Sequence, residues 1–260
     1  MTSPDQLHIC SYNIHKGFDA RNRRFMLHDM RDAIRSVNAD VCFLQEVVGH
    51  RISYGELPHP EGVNQFEFLA DQTWSHFAYG RNAIFEEGHH GNAILSKVPF
   101  ADWRNHDVSR WRFSRRGLLY GRLENGLVLI CAHLGLLARE RRYQLRRLQE
   151  LIEYRCGPND PVIVAGDFND WRLRLDRVMR RSLGFSEVIA EMQGRPARSF
   201  PAALPLLRVD RIYYRGLTLE SARLLRGGIW RKLSDHAAIS ATFLMERGSG
   251  RRHPPFRATG

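Results

Sequence analysis

Pro161-Val162-Ile163-Val164-Ala165-Gly166-Asp167-Phe168-Asn169-Asp170 sets an unbroken apolar run against an abrupt polar end. Short, rich in β-branched residues and with no alternation, the run reads as a strand covered on both faces, the kind found in α/β proteins. Its neighbours supply the cover. Upstream, Leu137, Leu145, Leu148 and Ile152 fall on one helical face, with arginines on the other, up to a Gly157-Pro158 stop. Before them, Leu118 to Glu124 and Leu127 to His133 are strand-like runs joined by Asn125-Gly126, a strong hairpin signal. Downstream, Leu175, Val178, Met179 and Leu183 predict a helix before Gly184, and strands follow at Val209 to Tyr214 and Ala237 to Leu244.

The N-terminal half repeats the alternation. Leu7 to Ile14 reads as a strand, stopped by the polar cluster Asn13 to Lys16 and by Gly17. Met30, Ile34 and Val37 recur at helical spacing, and Ala39 to Leu44 reads as a buried strand ending on Gln45-Glu46, a β–α–β opening. Residues 49–67 mix Gly, Pro and His without a period and read as loop; Gly91 to Ser96 resumes strand character before Val98-Pro99. No Pro/Gly/Ser linker divides the chain. We therefore expect an α/β or α+β single domain over residues 1–247, with the Gly-, Pro- and Arg-rich tail 248–260 disordered.

At 260 residues, 43% hydrophobic and 26% charged, the chain has the composition of a globular protein, which excludes whole-chain disorder and coiled coil. No apolar run reaches the roughly 18 residues of a membrane span. Residues Met1 to Gln6 lack the basic-then-apolar order of a signal peptide, so the expected compartment is the cytoplasm. Lys and Arg number 39 against 28 Asp and Glu, a net charge of +11 that attracts polyanions, whether nucleic acid, anionic lipid surface or phosphorylated metabolite. Only Lys16, Lys97 and Lys232 are lysines, and the arginine skew also suits a GC-rich genome. Cys10, Cys42, Cys131 and Cys156 form no CxxC pair and read as free thiols of a reduced compartment.

Polar residues able to ligate a metal or move a proton recur where hydrophobic strands end: Asn13, Glu46, His133, Asp167 with Asn169, Asp210, and Asp235 with His236. Singly, each would be a cap or a turn residue. Together they offer hard oxygen ligands, two imidazoles and two amides, and no Ser or Cys nucleophile elbow accompanies them.

Ser11-Tyr12-Asn13-Ile14, Leu44-Gln45-Glu46-Val47, Gly91 to Ser96, Ala132-His133-Leu134, Gly166-Asp167-Phe168-Asn169, Val209-Asp210-Arg211-Ile212 and Ser234-Asp235-His236 resemble, in order and spacing, the motifs of the endonuclease/exonuclease/phosphatase superfamily. Asn13 to Gly17 is similar to the opening of a small bacterial branch. The resemblance implies a four-layer α/β sandwich, two packed β-sheets flanked by helices (the DNase-like fold), and hydrolysis of a phosphate ester with Mg2+ or Mn2+. By the same resemblance Glu46 is the principal metal ligand, and Asn13 and Asp235 complete or steady its shell. Asp210 orients His236, Asp167 orients or deprotonates the attacking water, Asn169 contacts phosphate oxygens and His133 donates to the scissile phosphate. Either Asp167 or His236 serves as base. Asn92, Arg112, Arg115 and Arg116 are candidate substrate contacts, while Asp170 reads as a helix cap and His89 and His90 as rim residues.

Two substrate readings follow. Nucleic acid suits the motifs and the basic field, although residues 49–67 are neither basic nor aromatic-rich and no stacking platform interleaved with basic residues is evident. A lipid headgroup or a small phosphorylated metabolite is the alternative. A third reading is an inactive relative that binds nucleic acid or a partner, against which stands the filling of every chemistry-bearing position.

Overall fold

The computed structural model describes residues 5–51, 63–85 and 88–245. Its elements run β1 (Asp5–Asn13), a 3-10 turn (His15–Gly17), α1 (Leu27–Ser36), β2 (Val41–Arg51), α2 (Gln65–Ala70), β3 (His76–Phe85), β4 (Gly88–Ser96), β5 (Phe100–Asp107), β6 (Gly117–Leu123), β7 (Val128–His133) and α3 (Ala138–Arg155). There follow β8 (Val162–Asp167), α4 (Arg174–Arg181), β9 (Ser186–Glu187), α5 (Val188–Gln193), β10 (Asp210–Arg215), β11 (Thr218–Leu225), α6 (Trp230–Leu233) and β12 (Ala238–Met245). The strands form two six-stranded sheets, ordered β11-β12-β1-β2-β4-β3 and β5-β6-β7-β8-β10-β9.

Side-chain alternation builds four layers from these sheets. Along β8, Ile163 and Ala165 face a central core between the sheets, while Val162 and Val164 face outward onto Leu145, Leu148 and Ile152 of α3 and Leu175 and Met179 of α4. In the first sheet Ile9, Val41 and Phe43 face the same central core, and Cys10, Tyr12, Cys42 and Leu44 pack outward on α1, α2 and Leu233 of α6. Both faces of the inner strands are thus buried, which is why they read as unbroken apolar runs. The observed architecture is the expected sandwich of two packed sheets flanked by helices.

The Asn125-Gly126 hairpin forms between β6 and β7, with Gly126 in the left-handed region at φ 89°. Gly166 is required for another reason: a Cβ there would lie 1.9 Å from the Ala132 carbonyl oxygen, so β7 and β8 approach closely beside the polar end of β8.

Some expectations are corrected. Leu137 is the exposed N-cap residue of α3 rather than part of its buried face, since its helical spacing continues one residue past the helix end. The strand at 39–44 does not stop at Gln45-Glu46 but runs to Arg51 through a bulge, where Glu46 takes φ 56° and the register with β4 shifts between Leu44 and Val47. Of the expected loop 49–67, residues 49–51 belong to β2. Residues 65–67 open α2 under a capping box of Asn64 and Glu67. Residues 52–62, the segment Met1 to Pro4 and the expected tail 248–260 lie outside the described residues. Strands β3, β5 and β11 had no sequence signal.

Candidate active site

Strand direction and register gather the polar residues at one end of the sandwich. Strands β7 and β8 are parallel, so their last residues, His133 and Asp167, lie side by side; β10 runs antiparallel to β8 and opens with Asp210 opposite Asp167. His133, Asp167 and Asp210 therefore form one row across three strands of the second sheet. From the first sheet, β1 ends on Asn13 beside β2, whose bulge carries Glu46, and the turn before β12 delivers Asp235 and His236. Ser234 fixes that turn: its hydroxyl donates to the Asn13 carbonyl at 2.8 Å and accepts from the His236 N–H at 3.2 Å.

Asp167 Oδ2 is the hub. Around it stand Asn13 Nδ2 and Asn169 Nδ2, each at 3.4 Å, His133 Nε2 at 3.5 Å and His236 Nε2 at 3.9 Å. These are long contacts, at or beyond the outer limit of a hydrogen bond, so four nitrogens face one carboxylate oxygen without any of them binding it tightly. The other oxygen, Oδ1, accepts the Asn169 backbone N–H at 2.9 Å.

The histidines carry opposite charge tendencies. Burial alone would lower the pKa of His236, but Asp210, whose Oδ2 lies 2.8 Å from Nδ1, together with Asp167 and Asp235, raises it to about 10. His236 is held as a cation. Burial, with Arg116 nearby, pushes His133 well below the ordinary histidine value. Arg116 Nη1 donates toward His133 Nδ1 at 3.5 Å, and because a guanidinium cannot accept, the ring proton of neutral His133 sits on Nε2, facing the hub. Burial raises Asp167 to about 6, offset in part by His236.

Glu46 is charged. Although burial works the other way, His133, Lys16, His90 and His15 bring its pKa down to about 2. Lys16 Nζ lies 3.4 Å from its Oε2, a cation already drawn to the carboxylate, and His15 Nδ1 lies 3.7 Å from Asp235. That chemistry fits a divalent metal: Mg2+ is held by one or two carboxylates with waters and substrate oxygens completing its shell. Glu46 and Asp235 are candidate carboxylates of that kind, each held beside one of the adjacent residues Lys16 and His15. Among the described residues the tightest group of ligand atoms is instead Asp167, Asp210 and His236, all within 4.8 Å of one another. There the Asp210 carboxylate is occupied by His236, so the Glu46 side suits a cation better.

Other expected contacts are placed as follows. Asn13 turns its amide nitrogen to Glu46 and Asp167, while its oxygen accepts the His15 N–H at 3.1 Å. Asn169 gives its amide N–H to the Leu134 carbonyl at 2.9 Å. Asn92 is buried and bridges the sheets, donating to Gly117 and Cys131 carbonyls. Asp170 accepts the N–H groups of Arg174, Leu175 and Asp176 at the start of α4, beneath the fully buried Arg211. Arg112, Arg115 and Arg116 line a recess beside the crevice that also contains Trp111, and Trp111 lies parallel to exposed Phe113. An aromatic surface interleaved with arginines is therefore present, in residues 110–116, contrary to expectation. Its signal, Arg110-Trp111-Arg112-Phe113-Ser114-Arg115-Arg116, was legible in the sequence.

Further residues emerge only in three dimensions. His90, half-buried and lowered by burial and Lys16 to about 4, lies close enough to Glu46 for the two charges to influence one another. Gln65 ties the 3-10 turn to the bulge, donating to the Lys16 carbonyl and accepting the Val48 N–H, both at 2.9 Å. Of the eight non-glycine residues at positive φ among the described residues, His15, Lys16, Glu46 and Asn169 are at the site, so half of this strained backbone is concentrated here.

Comparison with known proteins finds that the model of the Endonuclease/Exonuclease/phosphatase family matches residues 10–236. The uncharacterized protein YbhP of Escherichia coli K12 is 44% identical over 249 residues, spanning 92% of this chain and 98% of its own. An endonuclease/exonuclease/phosphatase structure from Beutenbergia cavernae superposes with a TM-score of 0.72 at 18% identity, covering 92% of this chain and 72% of the other. TDP2 of D. rerio complexed with a single-strand DNA product superposes at 0.67 with 23% identity, covering 93% of this chain and all of the other. These structures share the fold.

Proposed function

Because the chain belongs to the endonuclease/exonuclease/phosphatase family, whose members hydrolyse phosphoesters, we propose that it is a Mg2+- or Mn2+-dependent phosphodiesterase acting on nucleic acid through in-line attack of water. The observation that carries this reading is the ring of four nitrogens around Asp167 Oδ2. A metal held by Glu46 and Asp235 would neutralise phosphate charge and orient the scissile group.

The chain's own groups do the rest. Asp167, ionised at neutral pH, takes a proton from the attacking water, whose oxygen bonds to phosphorus as the bond to the leaving oxygen breaks. His236 is too firmly protonated to be the base; it and the His133 Nε2–H donate to phosphate oxygens. Asp210 fixes the orientation and charge of His236. Asn13 steadies Glu46 and Asp167, and Asn169 sets the Asp167 carboxylate. Arg116 keeps His133 in its donating tautomer and, with Arg112 and Arg115, meets substrate phosphates. Asn92 holds the two sheets together behind them. The TDP2 relative with bound DNA product favours nucleic acid over a lipid headgroup. The four free cysteines suit the cytoplasm, and among the described residues no helix is long and apolar enough to cross a membrane.

The test is hydrolysis of labelled oligonucleotides with Mg2+ or Mn2+ by the wild type and by Glu46→Gln. Metal-dependent cleavage, with the variant needing at least about tenfold more metal for half-maximal rate, is expected. An unchanged metal requirement in the variant overturns the Glu46 assignment, and hydrolysis confined to phospholipids or small phosphates overturns the substrate.

A further inference from the structure

Two arginine-lined recesses flank the crevice at opposite edges of the sandwich. One, about 470 Å3, lies between β3, β5 and the loop before β6, and contains Arg81, Arg110, Arg112, Arg115 and Arg116. The other, about 620 Å3, lies between α5, β11 and the loop before β10, and contains Arg195, Arg198, Arg208, Arg223 and Arg226. Register puts both at the site end. Asp107 pairs with Gly117, one residue before the row that leads to His133, and Arg81 pairs with Gly91 next to Asn92. On the other side Leu225 pairs with Ala238, two residues after His236. Strands β3 and β5 are edge strands on one side, β11 and β9 on the other.

These arginines outnumber the carboxylates beside them and form no ion pair. Among the described residues, the arginine ion pairs are made by Arg31, Arg35, Arg122, Arg147, Arg155 and Arg211, and none by the ten in the recesses. One carboxylate, Asp107, lines the β3/β5 recess against five arginines and none lines the other, and like charges so crowded favour an anion. Two such recesses, with a crevice between them, match a linear polyanion better than a compact headgroup. Six strands about 4.8 Å apart set the recesses roughly 24 Å from one another, a span of about seven phosphates at the duplex spacing of about 3.4 Å and of fewer in an extended single strand.

The two ends are not alike. Among the described residues of the two edges, exposed aromatics lie on the β3/β5 side, where Trp111 and Phe113, 37% and 79% exposed, have ring planes within 6° of parallel. Exposed rings stack on unpaired bases, whose faces a duplex hides. We propose that single-stranded nucleic acid long enough to reach from one edge to the other lies across the site end. Its bases rest on Trp111 and Phe113 at the β3/β5 edge, and its phosphates on Arg195, Arg198 and Arg226 at the β11/β9 edge. This rests on the reading of the crevice as a nucleic-acid phosphodiesterase, and names the form of that substrate.

Fluorescence anisotropy with labelled dT4 and dT16, metal chelated, tests it. The wild type should bind dT16 at least about tenfold more tightly than dT4, with affinity falling steeply as salt rises. Arg198→Glu with Arg226→Glu should weaken dT16 about tenfold and leave dT4 unchanged; Trp111→Ala with Phe113→Ala should weaken both. Circular dichroism checks that the variants fold. Equal affinity for dT4 and dT16 overturns the proposal, as does dT16 binding indifferent to either pair of substitutions. So does a 16-bp duplex binding as tightly as dT16, or capture by phosphatidylglycerol vesicles without capture by dT16. Because binding is measured without metal, it separates from catalysis: a chain that binds dT16 across both edges but never cleaves it keeps the track and loses the phosphodiesterase reading.

Discussion

In the proposed mechanism Asp210 never meets the substrate, yet it decides the charge of His236, the residue proposed to do so. Its carboxylate lies 2.8 Å from His236 Nδ1 and outweighs the burial that would otherwise lower the imidazole pKa. Asp210→Asn removes that charge, so His236 should titrate well below about 10, readable by NMR, and the rate should fall by about 10²–10⁴ with the fold intact. An unshifted His236 in the variant would contradict the arrangement. At this scale the site was legible where a polar residue interrupts an apolar run, as at Asp167, His133 and Asp210. It was illegible where contact is made between segments distant in sequence: no local pattern in residues 63–70 announces that Gln65 holds the Lys16 turn.

Among the elements, the junction of β9 and α5 carries a buried carboxyl. Glu187 Oε2 accepts the Ala190 N–H at 2.7 Å, but Oε1 has no partner, and burial lifts the pKa from 4.5 to about 7. Between those values the folded chain holds a proton that the unfolded chain has released, so the contribution of Glu187 to stability falls as pH rises through the window and is constant above it. Glu187→Gln keeps the acceptor and removes the charge. It should match the wild type near pH 4.5 and exceed it at pH 8 by up to about 3 kcal/mol, measured as urea midpoints. A gap that does not grow with pH would contradict the burial argument. Inner strands such as β8 were legible because both faces are apolar, and α1 because Met30 and Ile34 share one buried stripe. Edge strands β5 and β11 were not: most of their side chains are solvent-exposed or half-buried, so neither alternation nor an apolar run marks them. The bulge at Glu46 was hidden because the pairing that creates it lies between β2 and β4.

Across the whole molecule, the +11 charge acquires a location. Four carboxylates occupy the crevice, and ten unpaired arginines stand at the two edges beside it. For an oligonucleotide long enough to reach both edges, kcat/KM should fall steeply between about 50 and 200 mM salt, while a small phosphodiester should be far less sensitive. Equal salt dependence for the two substrates would return the arginine excess to genome composition. The sequence motifs anticipated which residues converge, since strand ends gather wherever sheets pack; it could not anticipate the two recesses, which depend on which strands become edges.

The most direct test of the central claim is single-turnover cleavage of a labelled 16-nucleotide strand with Mg2+ or Mn2+, comparing the wild type with Asp167→Asn. Cleavage should require the metal and fall by about 10²–10⁴ in the folded variant. Cleavage at the wild-type rate by Asp167→Asn would contradict it.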